Sequence, residues 1–459
     1  MKFSDYLGNL RGKRVAVIGA GISNSPLIDA LLNAGVDTTI CDRQARDEIG
    51  ASFSRFEGSA ARFRLGGDYL ENLEADVIFR TPGLMPWNGA VREAVARGAV
   101  LTSEMEVFFD VCPCKIIAVT GSDGKTTTTS IIAEILKRAG RAVHVGGNIG
   151  APLLCRADEM QPDDVAVLEL SSFQLISMKK SPHIAVVTNI TPNHLDVHSS
   201  FDEYTEAKRN IYLHQSGSGR AVLNYDNEIT RGFIGSAPGE VLSFSRDVII
   251  RDGVFADGGI VYEAADGRRE EIMPAGDILL PGVHNVENYM AAFAAVRGLA
   301  DRGAMMETAR TFPGVAHRIE LVRELHGVRF YNDSIATSPA RTIAGLRSFD
   351  QKVILIAGGK DKGVGFSELG TEIIEHVKRL VLTGPTAGKI LSAVLEAPGY
   401  SGSPEIVVLE DFAEAVLAAA GSARDGDVVL LSPASTSFDR FRNFEERGER
   451  FREIVMSLS

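Results

Sequence analysis

Residues Ala118 to Thr129 read AVTGSDGKTTTT, an apolar run that breaks into a glycine-rich turn ending in lysine and four threonines. The run Ile116 to Val119 predicts a strand and residues 130–139 carry a helical pattern, so the turn joins a strand end to a helix start. There, backbone N–H groups and the positive end of the helix surround a polyphosphate, Lys125 supplies a point charge, and the Thr126 hydroxyl reaches Mg2+. The expected ligand is a nucleoside triphosphate, with Gly121, Gly124, Lys125, Thr126 and Thr127 about its phosphates. The plain alternative is a flexible Gly/Ser/Thr loop ahead of a helix. The strict signature G-x-x-x-x-G-K-[ST] would place glycine where Val119 stands. The shorter form from Gly121 to Thr126 argues against an ordinary GTPase or motor.

On the N-terminal side, Arg14 to Ile18 predicts a strand, Gly19-Ala-Gly21 a turn, Pro26 to Asn33 a helix, and Val36 to Cys41 a second strand ending at Asp42. This is a βαβ unit in which Asn24 stands where the third glycine of a dinucleotide fingerprint belongs. Asp42 sits where a strand-end carboxylate accepts hydrogen bonds from a ribose or base; the alternative is a structural turn. Asp76 to Phe79 leads into Thr81-Pro82-Gly83, another strand-end loop. On the C-terminal side, strand-like runs recur at 142–145, 165–170, 184–188 and 221–224. Around 245–280 the texture changes to short strands with Asp-Gly turns at 252–253 and 266–267, which predicts an antiparallel excursion before a helix at 284–300. After Phe312-Pro313-Gly314 the alternation resumes at 329–331, 353–357, 379–382, 405–409 and 427–431. Strands alternating with helical stretches imply mostly parallel sheets.

At 459 residues the chain exceeds the size of one growing core. Three α/β domains are expected: a Rossmann-like N-terminal domain at 1–112, a central P-loop ATPase-type parallel sheet with the antiparallel excursion at 113–313, and a C-terminal Rossmann-like domain at 314–459. Sixty acidic against 48 basic residues give a net charge of -12, and no basic track suits nucleic acid. The start, MKFSDYLGNL, lacks a basic region followed by an apolar core, and no apolar run reaches the roughly 18 residues of a membrane span. A cytoplasmic protein without a membrane span is expected. Cys41, Cys112, Cys114 and Cys155 are too irregular for a disulfide framework, and Cys112-Pro-Cys114 has the wrong spacing for a zinc pair, so all four read as thiols.

Three groups beyond the loop suit bound MgATP: Glu169 in LELSSFQL, His194 in NITPNHLDVH and Lys208 in YTEAKRNIY. A strand-end carboxylate can hold magnesium because that ion takes hard oxygens. Singly, each has a bland reading as a surface acid, a loop histidine and a solvated lysine. Their setting is more specific. GSDGKTT at 121–127, GGNIGAPL at 146–153, ELSSFQL at 169–175, HNVENYMAA at 284–292, HRIE at 317–320, NDSIATSP at 332–339 and LSPASTSFDRFRNFEERG at 431–448 follow one another along the chain. Together they resemble the Mur ligases, the ATP-dependent amide-forming enzymes of peptidoglycan synthesis, over nearly the whole length.

The resemblance implies ATP and two Mg2+ ions. It makes Lys125 the phosphate lysine, and Thr126, Glu169, His194 and Lys208 the metal-binding set, with Lys208 carried as a carbamate. It puts Asn285, Asn288, Arg318 and Asp333 about ATP, Asn148 near the reacting carboxylate, and Ser23, Asp42 and Arg43 on uridine diphosphate. Lys362, Ser437 and Phe444 match the amino-acid pocket. The implied substrates are UDP-N-acetylmuramoyl-L-alanine and glutamate, joined through an acyl phosphate by a monomer. Many of these ligases read NDSKAT, where a lysine helps bind a glutamate carboxylate; here the position is Ile335. A charge-assisted contact of about 1.5–3 kcal/mol is lost or moved, which leaves D- and L-glutamate open. A ligase adding L-alanine to UDP-N-acetylmuramate is the alternative within the family.

Overall fold

The structure is a computed structural model that describes residues 1–46, 53 and 55–459. It contains three sheets. The first is β1 (Arg14–Ile18), β2 (Asp37–Asp42), β3 (Arg62–Leu65), β4 (Val77–Phe79) and β5 (Val100–Thr102), all parallel in the order β3-β2-β1-β4-β5. Strand order reverses between β1 and β4, so the loops after these two strands flank a crevice of the kind that takes ligands in open α/β sheets.

The second sheet is β6 (Lys115–Thr120), β7 (Val143–Gly147), β8 (Val165–Glu169), β9 (Ile184–Val187), β10 (Arg220–Asn224), β11 (Glu240–Ser245), β12 (Gly253–Asp257), β13 (Ile260–Ala265) and β14 (Arg268–Pro274). Its order is β14-β13-β12-β11-β10-β9-β6-β8-β7. Strand β6 lies between β8 and β9, parallel to both, and is buried from Ile116 onward. A strand covered on both faces needs an unbroken apolar run, which IIAV supplies.

One sequence expectation is corrected here. Asp266-Gly267 does turn β13 into β14, with both residues at positive φ. Asp252-Gly253 makes no hairpin: Gly253 opens β12, which pairs parallel with β11. The glycine is needed because a Cβ there would lie 1.8 Å from the Ser243 carbonyl oxygen. Antiparallel pairing begins one strand later, at β12 and β13. The helix expected at 284–300 spans Val283–Val296.

The third sheet is β15 (Glu320–Leu325), β16 (Val328–Asn332), β17 (Val353–Ala357), β18 (Val377–Leu382), β19 (Glu405–Val408) and β20 (Val428–Leu431), in the order β15-β16-β20-β17-β18-β19. Only β15 is antiparallel to its neighbour. The loops after β16, β20 and β17 therefore leave one edge side by side.

The chain divides into two compact units, Met1–Ala275 with Glu287–Thr308, and Gly276–Val286 with Ala309–Ser459. The first holds the five- and nine-stranded sheets and the second the six-stranded sheet. Among the described residues, no helix is long and apolar enough to cross a membrane. The four cysteines are free thiols.

Candidate active site

Strand β6 ends at Thr120, and the helix Lys125–Arg138 starts after Gly124, whose φ of 77° is left-handed. A Cβ on Gly124 would lie 2.3 Å from Asn288 Oδ1, and one on Gly121 would lie 1.9 Å from Thr188 Oγ1. Glycine is thus demanded twice, and the turn is held rather than floppy. Thr188 Oγ1 donates to the Asp123 carbonyl at 2.6 Å, and the Asp123 N–H donates to Asn189 Oδ1 at 2.9 Å. Ser122 Oγ donates to the Thr191 carbonyl at 2.9 Å and lies 2.9 Å from the Tyr204 hydroxyl. Lys125 Nζ donates to the Ser122 carbonyl at 2.8 Å. Thr127 occupies the first turn of the same helix, where backbone N–H groups lack intrahelical partners.

Glu169 closes β8 and is 2% exposed. Its Oε2 accepts from Thr126 Oγ1 at 2.7 Å and its Oε1 from Asn148 Nδ2 at 2.8 Å. The Asn148 N–H also donates to the Glu169 carbonyl at 2.8 Å. Gly147 permits this approach, since a Cβ there would meet that same carbonyl oxygen at 2.1 Å. The GGN signature is thereby explained.

Lys208 lies on the helix Phe201–Leu213, capped by the Ser200 hydroxyl, and is 2% exposed. Its Nζ donates to the Gly121 carbonyl at 2.7 Å and to Thr120 Oγ1 at 3.3 Å, 4.7 Å above the Tyr204 ring. Burial first, and then the Lys125 charge, pull its pKa well below the ordinary lysine value. The solvated-lysine reading is excluded. His194 is exposed, at a φ of 54°, with its N–H donating to Asn193 Oδ1 at 2.9 Å. Its ring meets the Phe173 edge at 5.2 Å, and burial lowers its pKa. Lys125, Thr126, Asn148, Glu169 and Lys208 thus gather at the adjacent ends of β6, β7 and β8, with Asn288 against the loop.

In the first sheet, Asp42 Oδ2 accepts from the Ala20 N–H and Oδ1 from the Gln44 N–H, each at 3.0 Å. Ser23 and Arg43 are exposed. Asn24 is buried and donates to the Ile18 and Gly19 carbonyls, so its place in the turn is structural.

In the second unit, Asn285 Nδ2 donates to the Pro281 carbonyl at 2.7 Å. Arg318 lies between His317 and Ile319, both at positive φ. Asp333 follows β16, accepts from Ser432 Oγ at 2.7 Å, and is pushed up to about 7 by burial. Lys362 Nζ donates to Thr337 Oγ1 at 3.4 Å. Ser437 is 2% exposed, while Phe444 starts the helix Phe444–Ser457 and its carbonyl accepts from Ser334 Oγ. Ile335 donates its N–H to the His317 carbonyl, and its own carbonyl accepts from Arg341 Nη1 at 3.2 Å.

Three residues around these loops escape sequence reading. Arg80, 1% exposed at the end of β4, donates to the Phe173 and Gln174 carbonyls at 2.7 and 3.3 Å, to Leu84 O at 3.1 Å and to Ser177 Oγ at 3.0 Å. Arg447 spans Ser334 and Ser435 and is lowered to about 10 by burial. His198 bonds Ser172 and Glu203. The available signals were an arginine closing a buried strand, the RG of the last motif, and the second histidine of NHLDVH.

Similarity to known proteins agrees with this geometry. The Mur ligase middle domain model matches residues 119–296 and the Mur ligase, glutamate ligase domain model matches 317–435. The UDP-N-acetylmuramoylalanine–D-glutamate ligase of Acetivibrio thermocellus is 51% identical, over 100% of this chain and 99% of that one. Those of Ruminiclostridium cellulolyticum and Clostridium novyi are 48% and 46% identical, covering 100% and 99% of this chain and 99% of each relative. Among solved structures, a UDP-N-acetylmuramate-alanine ligase from Thermotoga maritima aligns with a TM-score of 0.56 at 19% identity, over 97% of this chain and 99% of that one. A UDP-N-acetylmuramoylalanyl-D-glutamyl-2,6-diaminopimelate–D-alanyl-D-alanyl ligase from Acinetobacter baumannii aligns at 0.55 and 16%, over 85% and 92%, and shares the fold. With a loop that demands glycine at 121 and 124 and a magnesium-type carboxylate beside it, and with full-length relatives at half identity, this chain belongs to the Mur ligase family.

Proposed function

We propose that this chain joins the carboxylate of UDP-N-acetylmuramoyl-L-alanine to the amine of D-glutamate, using ATP, in cytoplasmic peptidoglycan precursor synthesis that feeds cell-wall growth, cell shape and division. The supporting observation is the Glu169 carboxylate held between Thr126 and Asn148 at a phosphate loop, in a chain whose full-length relatives carry that ligase name. Residues 1–112 take the uridine diphosphate, through Ser23, Asp42 and Arg43. Residues 113–313 take ATP, and 314–459 take the amino acid through Lys362, Ser437 and Phe444. The protein acts as a monomer.

The residues suit MgATP. The glycines at 121 and 124 let the loop turn tightly against Thr188 and Asn288, and hard oxygens from Thr126 and Glu169 lie 2.7 Å apart beside it. Two magnesium ions would be held by Thr126 and Glu169, and by His194 with a carbamate on Lys208, and would supply cationic charge to the phosphoryl oxygens. Lys208 qualifies for that modification because its buried amine is easily neutral: nitrogen bonds to the carbon of CO2, a proton leaves, and a cation becomes an oxygen ligand.

A carboxylate is a poor electrophile, so the substrate carboxylate first attacks the γ-phosphoryl of ATP and displaces ADP. The glutamate amine then attacks the acyl phosphate and phosphate departs. In-line transfer mainly needs positioning and charge neutralisation, for which this chain offers Lys125, Arg318 and the loop N–H groups. Asn285, Asn288 and Asp333 hold the nucleotide, and Asn148 orients the reacting carboxylate. Phosphate release with ATP, Mg2+ and UDP-N-acetylmuramoyl-L-alanine tests the reading, comparing D-glutamate, L-glutamate and no amino acid, with the product mass measured. Release that needs D-glutamate supports it; L-glutamate preference reassigns the amino acid, and turnover only with UDP-N-acetylmuramate and L-alanine overturns it.

A further inference from the structure

The sequence NHLDVH carries two histidines, and the proposed function uses only His194. The second, His198, is 3% exposed and has a partner on each ring nitrogen. Nε2 lies 2.9 Å from Ser172 Oγ, and Nδ1 lies 3.0 Å from Glu203 Oε1. Burial raises the Glu203 pKa, but hydrogen bonds from Ser199 and His198 outweigh it and leave the carboxyl below its usual value. An ionised carboxylate only accepts, so His198 Nδ1 donates to Glu203, while Nε2 faces the Ser172 hydroxyl. The ring also stacks on Phe173 at 5.1 Å with planes 10° apart, and Phe173 meets the His194 ring edge-on at 5.2 Å.

These contacts join three elements. Ser172 opens the short helix Ser172–Leu175 just past Glu169, Glu203 sits in the first turn of the helix that carries Lys208, and His198 belongs to the loop that carries His194. The loop's start is tied to Ser122 Oγ through the Thr191 N–H and carbonyl, and the Val197 and His198 N–H groups bond the His194 carbonyl, while residues 191–197 are exposed and His194 is in the left-handed region. The Ser199 N–H and hydroxyl also bind Glu203.

We infer that Ser172, His198 and Glu203 form a brace that holds the His194 loop in register with Glu169 and Lys208, making His198 a positioning residue for the metal-binding set. The inference rests on the proposed reading only for the role of His194; the brace itself is a property of the free protein. Ser172 is 2% exposed, which rules out a hydrolase-like nucleophile despite the Ser-His-Glu geometry.

The test uses the full-length protein with two readouts. Hydrogen exchange of segment 190–200 without ligand reports the brace, and Mn2+ retention by electron paramagnetic resonance, with a non-hydrolysable ATP analogue, reports the metal site. His198→Ala should speed exchange in that segment at least about tenfold and weaken Mn2+ retention by roughly 10- to 100-fold, the range for residues that orient metal ligands, while KM for the UDP-substrate stays put. His198→Asn, which can keep the Glu203 contact, and His198→Gln, which can keep the Ser172 contact, should each recover part of both. Unchanged exchange, or faster exchange with undiminished Mn2+ retention, overturns the brace. Faster exchange in the variant when even the wild type retains no Mn2+ keeps the brace and overturns the metal reading instead.

Discussion

The Thr126 hydroxyl donates to Glu169 Oε2 across 2.7 Å, which ties the first turn of the phosphate-loop helix to the end of β8. Since Glu169 also receives Asn148, one carboxylate orders a group assigned to the nucleotide and a group assigned to the reacting acid. Glu169→Gln should lower kcat by about 10²–10³, the loss typical of a single charge-stabilising group, with little change in melting temperature. Thr126→Ala should act in the same direction and Thr126→Ser should recover most activity. The pair works as a unit, so Thr126→Ala/Glu169→Gln should be scarcely worse than Glu169→Gln alone, measured as ATP-dependent phosphate release.

Lys208 gives a carbon dioxide dependence. Its amine is buried against the Gly121 carbonyl, with its pKa well below the usual lysine value. Lys208→Ala should be nearly inactive and regain turnover with millimolar acetate or formate, and the wild type should weaken in CO2-free buffer. Full activity of the unrescued variant would remove the carbamate from the account.

Arg80 joins the first sheet to the turn after Glu169. Its guanidinium, 1% exposed, serves the Phe173, Gln174 and Leu84 carbonyls and the Ser177 hydroxyl. Arg80→Met leaves several buried acceptors without a donor, at about 1–3 kcal/mol each before relaxation. Urea denaturation should show a loss of roughly 2–4 kcal/mol by that measure. Arg80→Lys should recover only part, because a point charge cannot replace the planar fork.

Asp333 makes stability fall as pH rises. Burial pushes its carboxyl from 3.8 to about 7, so between these values the folded chain binds a proton that the unfolded chain has released. The folded state therefore loses stability as pH climbs from about 4 to about 7, by on the order of 4 kcal/mol, and the loss is complete above that. Asp333→Asn, which can still accept from Ser432, should flatten this part of the curve. A variant curve parallel to the wild type would contradict the assignment.

What the sequence makes legible is what local backbone rules enforce. Gly121, Gly124 and Gly147 are readable because no side chain fits where their Cβ atoms would go. The same rule misleads at Gly253, where a close carbonyl rather than a hairpin requires the glycine, and a dipeptide pattern does not separate the two causes. Strands β3 and β5 escaped because they are short, four and three residues, and only half-buried. Arg80 escaped because its partners at 173–177 lie on a distant element, and His198 because Ser172 does, although Glu203 is only five residues on. Lys208 looked solvated beside Arg209, and the fold alone places it under the phosphate loop.

The most direct test of acyl transfer at this site follows one oxygen. UDP-N-acetylmuramoyl-L-alanine labelled with 18O in its carboxylate is turned over with ATP, Mg2+ and D-glutamate, and the released phosphate is analysed by 31P NMR. An acyl phosphate predicts one 18O atom in each phosphate formed; phosphate released without label would contradict it.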